Sequence, residues 1–278
     1  MAATIPIVGT MTRIRSLSAT LLALFAPAAL FAGEGGEPAS IRILPGWKST
    51  EGHHFIGVEI SMEPGWKTYW RAPGEAGIPP YWDWSGSANV GELKIHWPVP
   101  EVFEYAGLDV IGYHDQVVIP IEVIPADPNA PTRLIGRAEI GVCQEICVPL
   151  SYEFSLDLSE DKRRTPAIVA AMIDQPVSAE TADVETVTCQ AEPTAKGLKI
   201  TAKMTMPSTG TPEVVVIESG DDNLWVSGAS AARVGGVLTA SAEMMNLYGD
   251  PIALNRSAMR ITVLGSERAV DILGCPGG

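Results

Sequence analysis

The sequence predicts an all-β protein made of two tandem β-sandwich domains with a short linker helix between them. Short apolar runs alternate with polar residues at period two and are separated by turns, a pattern typical of half-buried strands. The 278 residues include 27 Gly and 22 Pro, and 46% are hydrophobic against 19% charged, which suits a folded chain with a real core. No strand–helix–strand rhythm is present, which argues against Rossmann and barrel folds.

Residues 1–32 resemble a secretory signal peptide. Arg13 and Arg15 precede the apolar run 17–32, and Ala32 and Gly33 offer small residues for cleavage. The run is shorter than the roughly 20 residues that span a bilayer, so we expect an exported chain with no membrane span after cleavage. A membrane anchor is the alternative. Export permits disulfides.

Residues 33–160 are predicted to form the first domain. Strand-like runs occupy 54–62, 117–124 and 151–158, and in the last of these Tyr152 and Phe154 alternate with Glu153 and Ser155. The segment 161–182 is predicted to be a linker with a short helix, which Thr165 would cap, Pro166 would begin and Pro176 would stop. Residues 183–278 form the second predicted domain.

Five further runs mark strands of this second domain: 184–191, 197–206, 213–219, 237–244 and 259–265.

The charge balance excludes one class of partner. Lys and Arg number 19 against 33 Asp and Glu, a net charge of -14. Such a chain repels phosphate backbones and anionic lipid surfaces, so we expect no nucleic-acid partner.

Cys143 and Cys147 form the first candidate site. In a continuous strand their Cα atoms would lie about 13 Å apart, whereas a disulfide needs about 4.4–6.8 Å. A turn over Gln144, Glu145 and Ile146 would bring the sulfurs together. A ring this small is a poor staple, which favours a pair that opens and closes. A stabilising bridge, two free thiols and Cu(I) ligation stay open as alternatives.

The local charge around this pair predicts a weakly activated thiol. No Lys, His or helix N-terminus lies within the segment 143–147, and Glu145 disfavours a thiolate. That suits a carrier more than an oxidant, with the partner protein bringing its own activated cysteine.

Cys189 and Cys275 are predicted to form a structural disulfide. The bond would close a loop of more than 80 residues and join the two ends of the second domain. Chain-entropy arguments assign such a loop about 4 kcal/mol. A second redox pair, or a free Cys275 that couples to another protein, is the alternative.

Several motifs, taken together and in order, resemble the N-terminal periplasmic domain of the thiol:disulfide interchange protein DsbD and its relative ScsB, the suppressor-of-copper-sensitivity protein. They are GWKTYWRAPGEAGIPP (65–80), WPVP (97–100), EYAG (104–107), YHDQVVIPIEV (113–123) and GVCQEICVP (141–149). The resemblance implies an immunoglobulin-like fold for the sandwiches and a periplasmic location. It also implies electron transfer from a membrane-embedded thiol reductase to periplasmic thioredoxin-like or disulfide-isomerase-like clients.

Carried over by position, the resemblance makes Cys143 and Cys147 the exchanging pair. It makes Glu104, Tyr105, Ala106 and Gly107 a cap loop, with the Tyr105 ring shielding the sulfurs from adventitious thiols.

Two features depart from the DsbD pattern. DsbD has five residues between its cysteines where this chain has three, and this chain ends at Gly278 with no membrane or thioredoxin-like domain. The electron donor is therefore expected to be a separate protein.

Two rival functions remain: a copper-handling module using thiolates and methionines, and a structural domain with inert bridges. We expect no cofactor beyond the redox-active disulfide, with Cu(I) as the alternative. His53, His54 and His96 lie apart from cysteine or carboxylate clusters with metal spacing. The candidate copper-binding methionines are better explained as core residues. They are Met204, Met206, Met244, Met245 and Met259.

Overall fold

A computed structural model describes residues 1–2, 37–105, 107–158 and 164–278 of the chain. Two predicted features lie partly outside the described residues. They are residues 3–32 of the predicted signal peptide and Ala106 of the predicted cap loop. Within the described part, no helix has the length and apolar character that crossing a bilayer requires.

The first sandwich contains ten strands. They are β1 (Ala39–Lys48), β2 (His54–Met62), β3 (Lys67–Gly74), β4 (Tyr81–Asp83), β5 (Val90–Ile95), β6 (Glu101–Tyr105), β7 (Leu108–His114), β8 (Gln116–Pro125), β9 (Arg133–Cys143) and β10 (Cys147–Asp157).

These strands form two facing sheets. One sheet has the order β1-β2-β8-β5, and the other has the order β10-β9-β3-β7-β6, with β4 also paired to β9. The core between them is closed by fully buried side chains such as Trp70, Ile121 and Leu134, each 0% exposed. Their burial removes large apolar surfaces from water and is the main force that holds the two sheets together.

A single helix, α1 (Pro166–Ile173), follows the first sandwich. Thr165 occupies the predicted N-cap position, but its hydroxyl donates to the carbonyl oxygen of Pro45 instead of capping the helix. The helix ends three residues before Pro176, with Asp174 as its C-cap. Ile168 is fully buried, and the helix packs on β2 and β8.

The second sandwich contains the remaining strands. They are β11 (Val177–Ser178), β12 (Thr186–Pro193), β13 (Leu198–Thr205), β14 (Val214–Glu218), β15 (Leu224–Val226), β16 (Ser230–Val234), β17 (Val237–Asn246), β18 (Arg260–Leu264) and β19 (Ala269–Leu273). One sheet has the order β11-β19-β18-β14 and the other β12-β13-β17-β15, with β16 paired to β17. The predicted all-β class with two sandwiches is confirmed. The short strand β11 lies inside the segment that the sequence assigns to the linker.

An ion pair closes the edge of this second sandwich. Arg233 Nε donates to Glu213 at 2.6 Å, and the backbone N–H of Thr209 donates to the same carboxylate at 2.9 Å. Burial alone would raise the pKa of Glu213, but the hydrogen bonds from Arg233 and Thr209 outweigh it and lower the pKa to about 2.

Strand β3 joins the two sandwiches. The Arg71 guanidinium donates two hydrogen bonds to the Glu218 carboxylate on β14, both at 3.0 Å, and one to Thr262 on β18 at 3.2 Å. Leu264 and Ala269 of the second sandwich pack against the core of the first. A two-pronged arginine–carboxylate contact fixes orientation as well as proximity.

Candidate functional site

The Cys143–Cys147 disulfide closes the hairpin between β9 and β10. Cys143 is the last residue of β9 and Cys147 the first of β10, and the two are paired directly opposite each other. Their Cα atoms lie 4.1 Å apart and the sulfurs are bonded. The Gln144 N–H donates to the Ile146 carbonyl oxygen at 3.1 Å, which makes the turn that the sequence requires. Gly65, at φ +83, leaves the space into which the Gln144 side chain packs.

The disulfide lies on the outer face of its sheet, away from the core. Lys67 on β3 is paired with Cys143 on one side and with His114 of β7 on the other. Residues directly opposite across strands share a face, so Cys147, Cys143, Lys67 and His114 form a row across four strands. Their neighbour Val142 faces the core instead. The segment 143–147 itself contains no cation, but this row places the residue Lys67 next to Cys143.

The two sulfur-bearing residues differ in access. Cys143 is 2% exposed, whereas Cys147 is exposed. Cys143 is buried in a small cluster on the outer face with Tyr69 and Val110, and Phe103 packs against this cluster. Cys147 is therefore the more accessible of the two cysteines to an incoming thiol.

The predicted cap loop is the tip of the β6–β7 hairpin. Glu104 and Tyr105 end β6, and Gly107 lies in the turn at φ +81, a conformation that favours glycine. The Tyr105 hydroxyl donates to the Glu145 carbonyl oxygen at 3.5 Å. The tip thus reaches across the outer face to the disulfide turn.

Lys67 and Tyr69 supply the polar groups of the site. The Lys67 ammonium lies 4.8 Å from the centre of the Tyr105 ring and 5.5 Å from that of Phe103, which are cation–π distances. The Tyr69 hydroxyl lies 3.7 Å from Cys147 Sγ. Burial, with a smaller effect from Tyr105, raises the pKa of Tyr69, so this hydroxyl stays protonated and can donate to a thiolate.

Apolar side chains surround the exposed sulfur. Ile146 in the disulfide turn is 69% exposed, and Leu108 follows the cap tip at 38%. Ile78, also exposed, packs over Gly141 two residues before Cys143. Exposed apolar groups clustered on one surface are typical of a protein-docking site.

The Cys189–Cys275 disulfide has the opposite character. Its two cysteines are each 1% exposed, and the bond spans 86 residues of sequence. The Cys189 N–H donates to the Pro276 carbonyl oxygen at 2.7 Å, and Arg256 donates to the Cys189 carbonyl oxygen at 2.9 Å. These contacts hold the C-terminal segment against β12.

The sequence predicts that the histidines lie apart from clusters with metal spacing, and the fold brings two of them to a single carboxylate. His53 Nδ1 lies 2.6 Å and His96 Nε2 lies 3.0 Å from the two oxygens of Glu122. Burial of Glu122 opposes ionisation, but the hydrogen bonds from both histidines outweigh it and lower the pKa of Glu122. No group of three or more His, Cys, Asp or Glu with metal-binding geometry occurs among residues 37–105, 107–158 and 164–278.

The methionines proposed as copper ligands lie mostly in the core of the second sandwich. Met204, Met244 and Met259 are 0% exposed, and Met206 is 2% exposed.

Sequence spacing could not reveal Lys67 and Tyr69 as parts of the site. Period-two alternation within 65–70 places the two on one face of a strand. Which residues that face meets depends on pairings with β7 and β9, formed by segments more than 40 residues further along the chain.

The fold and the site together define a β-sandwich protein with a disulfide accessible on one sulfur. The family model described as "Thiol:disulfide interchange protein DsbD, N-terminal" matches residues 41–159. This segment, less than half of the chain, is therefore similar to the N-terminal domain of thiol–disulfide interchange proteins of the DsbD type.

Most of the chain also resembles a solved structure. The N-terminal periplasmic domain of ScsB from Proteus mirabilis superposes with a TM-score of 0.66 and 24% sequence identity, over 87% of this chain and 95% of that chain. This likeness supports the fold. No match to a curated protein was found.

Proposed function

We propose that this protein is a periplasmic thiol–disulfide carrier. It takes electrons from a membrane-embedded thiol reductase and passes them to periplasmic thioredoxin-like or disulfide-isomerase-like clients through Cys143 and Cys147. The observation that carries the proposal is the strand-end disulfide with Cys147 exposed and Cys143 buried. The similarity of residues 41–159 to an interchange family and the periplasmic location of the similar ScsB domain support it.

In the receiving half-reaction, a donor thiolate attacks Sγ of Cys147. A donor–Cys147 bond forms, the Cys143–Cys147 bond breaks, and the electron pair leaves on Cys143 as a thiolate. A second donor thiolate then attacks the donor sulfur of the mixed disulfide and releases Cys147. Two electrons have moved to this chain, and the donor leaves as a disulfide.

In the delivering half-reaction, the Cys147 thiolate attacks a client disulfide and forms a mixed disulfide while a client thiolate leaves. Cys143 then attacks Cys147, which restores the intramolecular bond and releases the reduced client. The exposed cysteine makes the intermolecular bond and the buried one resolves it, so the intermediate is short-lived.

The small size of the disulfide ring makes both half-reactions energetically feasible. Chain-entropy arguments give a loop of four residues about 2 kcal/mol of stabilisation, against about 4.6 kcal/mol for one of 86 residues. The hairpin also retains its remaining cross-strand pairs when the bond opens. Opening Cys143–Cys147 therefore costs the fold little.

Single-cysteine variants test the proposal. We expect reduced Cys143→Ser protein to trap an oxidised disulfide isomerase as a stable mixed disulfide through Cys147, because no resolving thiol remains. Reduced Cys147→Ser protein should trap little, and both variants should fail to complete client reduction. The double variant Cys189→Ala/Cys275→Ala is the matched control and should transfer electrons normally. Normal client reduction by either single variant would refute the carrier role.

A further inference from the structure

We propose that Lys67 is a positioning residue for the exchange reaction, whose ammonium stabilises the thiolate that Cys143 becomes when the disulfide opens. The inference rests on the proposed carrier function and adds a residue that acts on the buried leaving group.

The strand register carries the argument. Lys67 lies directly opposite Cys143, and Cys147 lies one strand further away. Adjacent strands are about 4.8 Å apart, so Lys67 is one strand spacing from Cys143 and two from Cys147. The root of the lysine side chain is therefore nearer to Cys143 than to Cys147, and because Coulomb energy falls with distance we expect the Cys143 thiolate to gain more from this cation.

Two aromatic rings hold the ammonium over this face. The contacts to the rings of Tyr105 and Phe103 on β6, at 4.8 and 5.5 Å, keep the ammonium on the outer face of the sheet. Within the described ranges no carboxylate lies at ion-pair distance from Lys67. The ammonium is neutralised only weakly and remains available for a new anion.

The other charged groups on this face do not stabilise the Cys143 thiolate in place of Lys67. His114, the next member of the row, is already engaged by Glu101, with Nδ1 3.2 Å from the carboxylate. Glu145 is an anion in the disulfide turn, and Glu104 another at the cap tip, so both oppose a thiolate. The Tyr69 hydroxyl contacts the sulfur of Cys147, at 3.7 Å, rather than that of Cys143.

The Lys67 ammonium affects the step in which the disulfide bond breaks. When a donor thiolate attacks Cys147, the S–S electron pair departs on Cys143, and a leaving thiolate of lower basicity departs faster. The ammonium stabilises this charge without giving up its proton. The same anion later attacks Cys147 to release the client, and its availability at neutral pH rises with its stabilisation.

The test is a pH titration of both thiols in the fully reduced protein, read from the ¹³Cβ chemical shifts of ¹³C-labelled cysteine. We expect Lys67→Met to raise the titration midpoint of Cys143 by about one pH unit, equivalent to a tenfold loss of thiolate at neutral pH. Cys147 should move less. Methionine preserves the apolar stem that packs on the rings, so we expect the fold to be retained, while the cation–π contact to the Tyr105 ring is lost.

Two further variants complete the experiment. Lys67→Arg keeps a cation and should leave both midpoints within about 0.2 units of the wild type. Lys203→Met on β13 removes an equal charge from the second sandwich and should have no effect on the titration. An unchanged Cys143 midpoint in Lys67→Met, or a larger shift at Cys147, would overturn the inference.

These readouts separate the two proposals. An unchanged titration with normal transfer to a client refutes the role of Lys67 and leaves the carrier standing. Client reduction that survives loss of Cys147 refutes the carrier while the titration still reports on Lys67.

Discussion

Removal of the Tyr105 ring should speed reduction of the Cys143–Cys147 bond by small thiols. Two contacts hold the cap tip down: the cation–π contact with Lys67 at 4.8 Å and the long hydrogen bond to Glu145 at 3.5 Å. Together they amount to about 1.4 kcal/mol, which corresponds to about tenfold more closed than open molecules. If thiols react only with the open form, Tyr105→Ala gains about tenfold in rate.

The assay is pseudo-first-order reduction by glutathione, quenched with an alkylating reagent and read by mass spectrometry. The Cys189–Cys275 bond, with both cysteines 1% exposed, is an internal reference in the same molecule. Tyr81→Ala is the matched control, because Tyr81 is 60% exposed on β4 of the same sheet. It should react like the wild type.

Tyr105→Phe separates the two contacts. The ring and its contact with Lys67 remain, and only the long hydrogen bond is lost, so we expect a rate within about twofold of the wild type. A Tyr105→Ala rate within twofold of the wild type, or an equal acceleration in Tyr81→Ala, would refute the shielding role.

Three further predictions concern stability. Cys189→Ala/Cys275→Ala should lose about 4 kcal/mol of unfolding free energy in urea titrations at pH 7, because an 86-residue loop is released; a loss below 1 kcal/mol would contradict this loop argument. Arg71→Leu should cost about 2 kcal/mol, because the Glu218 carboxylate loses two charge-assisted hydrogen bonds; equal denaturation midpoints for variant and wild type would show that the contact is dispensable. The pKa of Glu213 is lowered to about 2, so its stabilisation is complete above pH 4.5 and is lost as pH falls from 4.5 through 2. Glu213→Gln should make the urea midpoint depend less on pH between 4.5 and 2. An unchanged pH dependence would count against this role of Glu213.

The sequence predicted the fold well where local patterns decide it. The run 54–62 was predicted as a strand, and β2 has the same bounds. The segment from Pro166 forms a helix, as proline at the first helical position indicates. The strand predicted from Ser151 begins earlier, at Cys147, because pairing with β9 extends the hairpin up to the disulfide.

The candidate site was only partly predictable. The spacing of Cys143 and Cys147 required a turn, and backbone geometry alone was enough for that inference. The residues that surround the cysteine pair could not be predicted, because Lys67 meets Cys143 only through pairing with a strand more than 60 residues distant in sequence. Glu122 likewise meets His53 and His96 through sheet contacts that no local pattern contains.

The pairing of Cys143 with Cys147 is part of a long register between β9 and β10. Eleven consecutive residue pairs align β9 with β10, and the cysteines are only the first of them. A slip by one residue would exchange the inner and outer faces of the strand, and the other ten pairs oppose such a slip whether the sulfurs are joined or separate. We therefore expect that opening the Cys143–Cys147 bond would leave the two strands aligned and would rearrange only the tip of this hairpin.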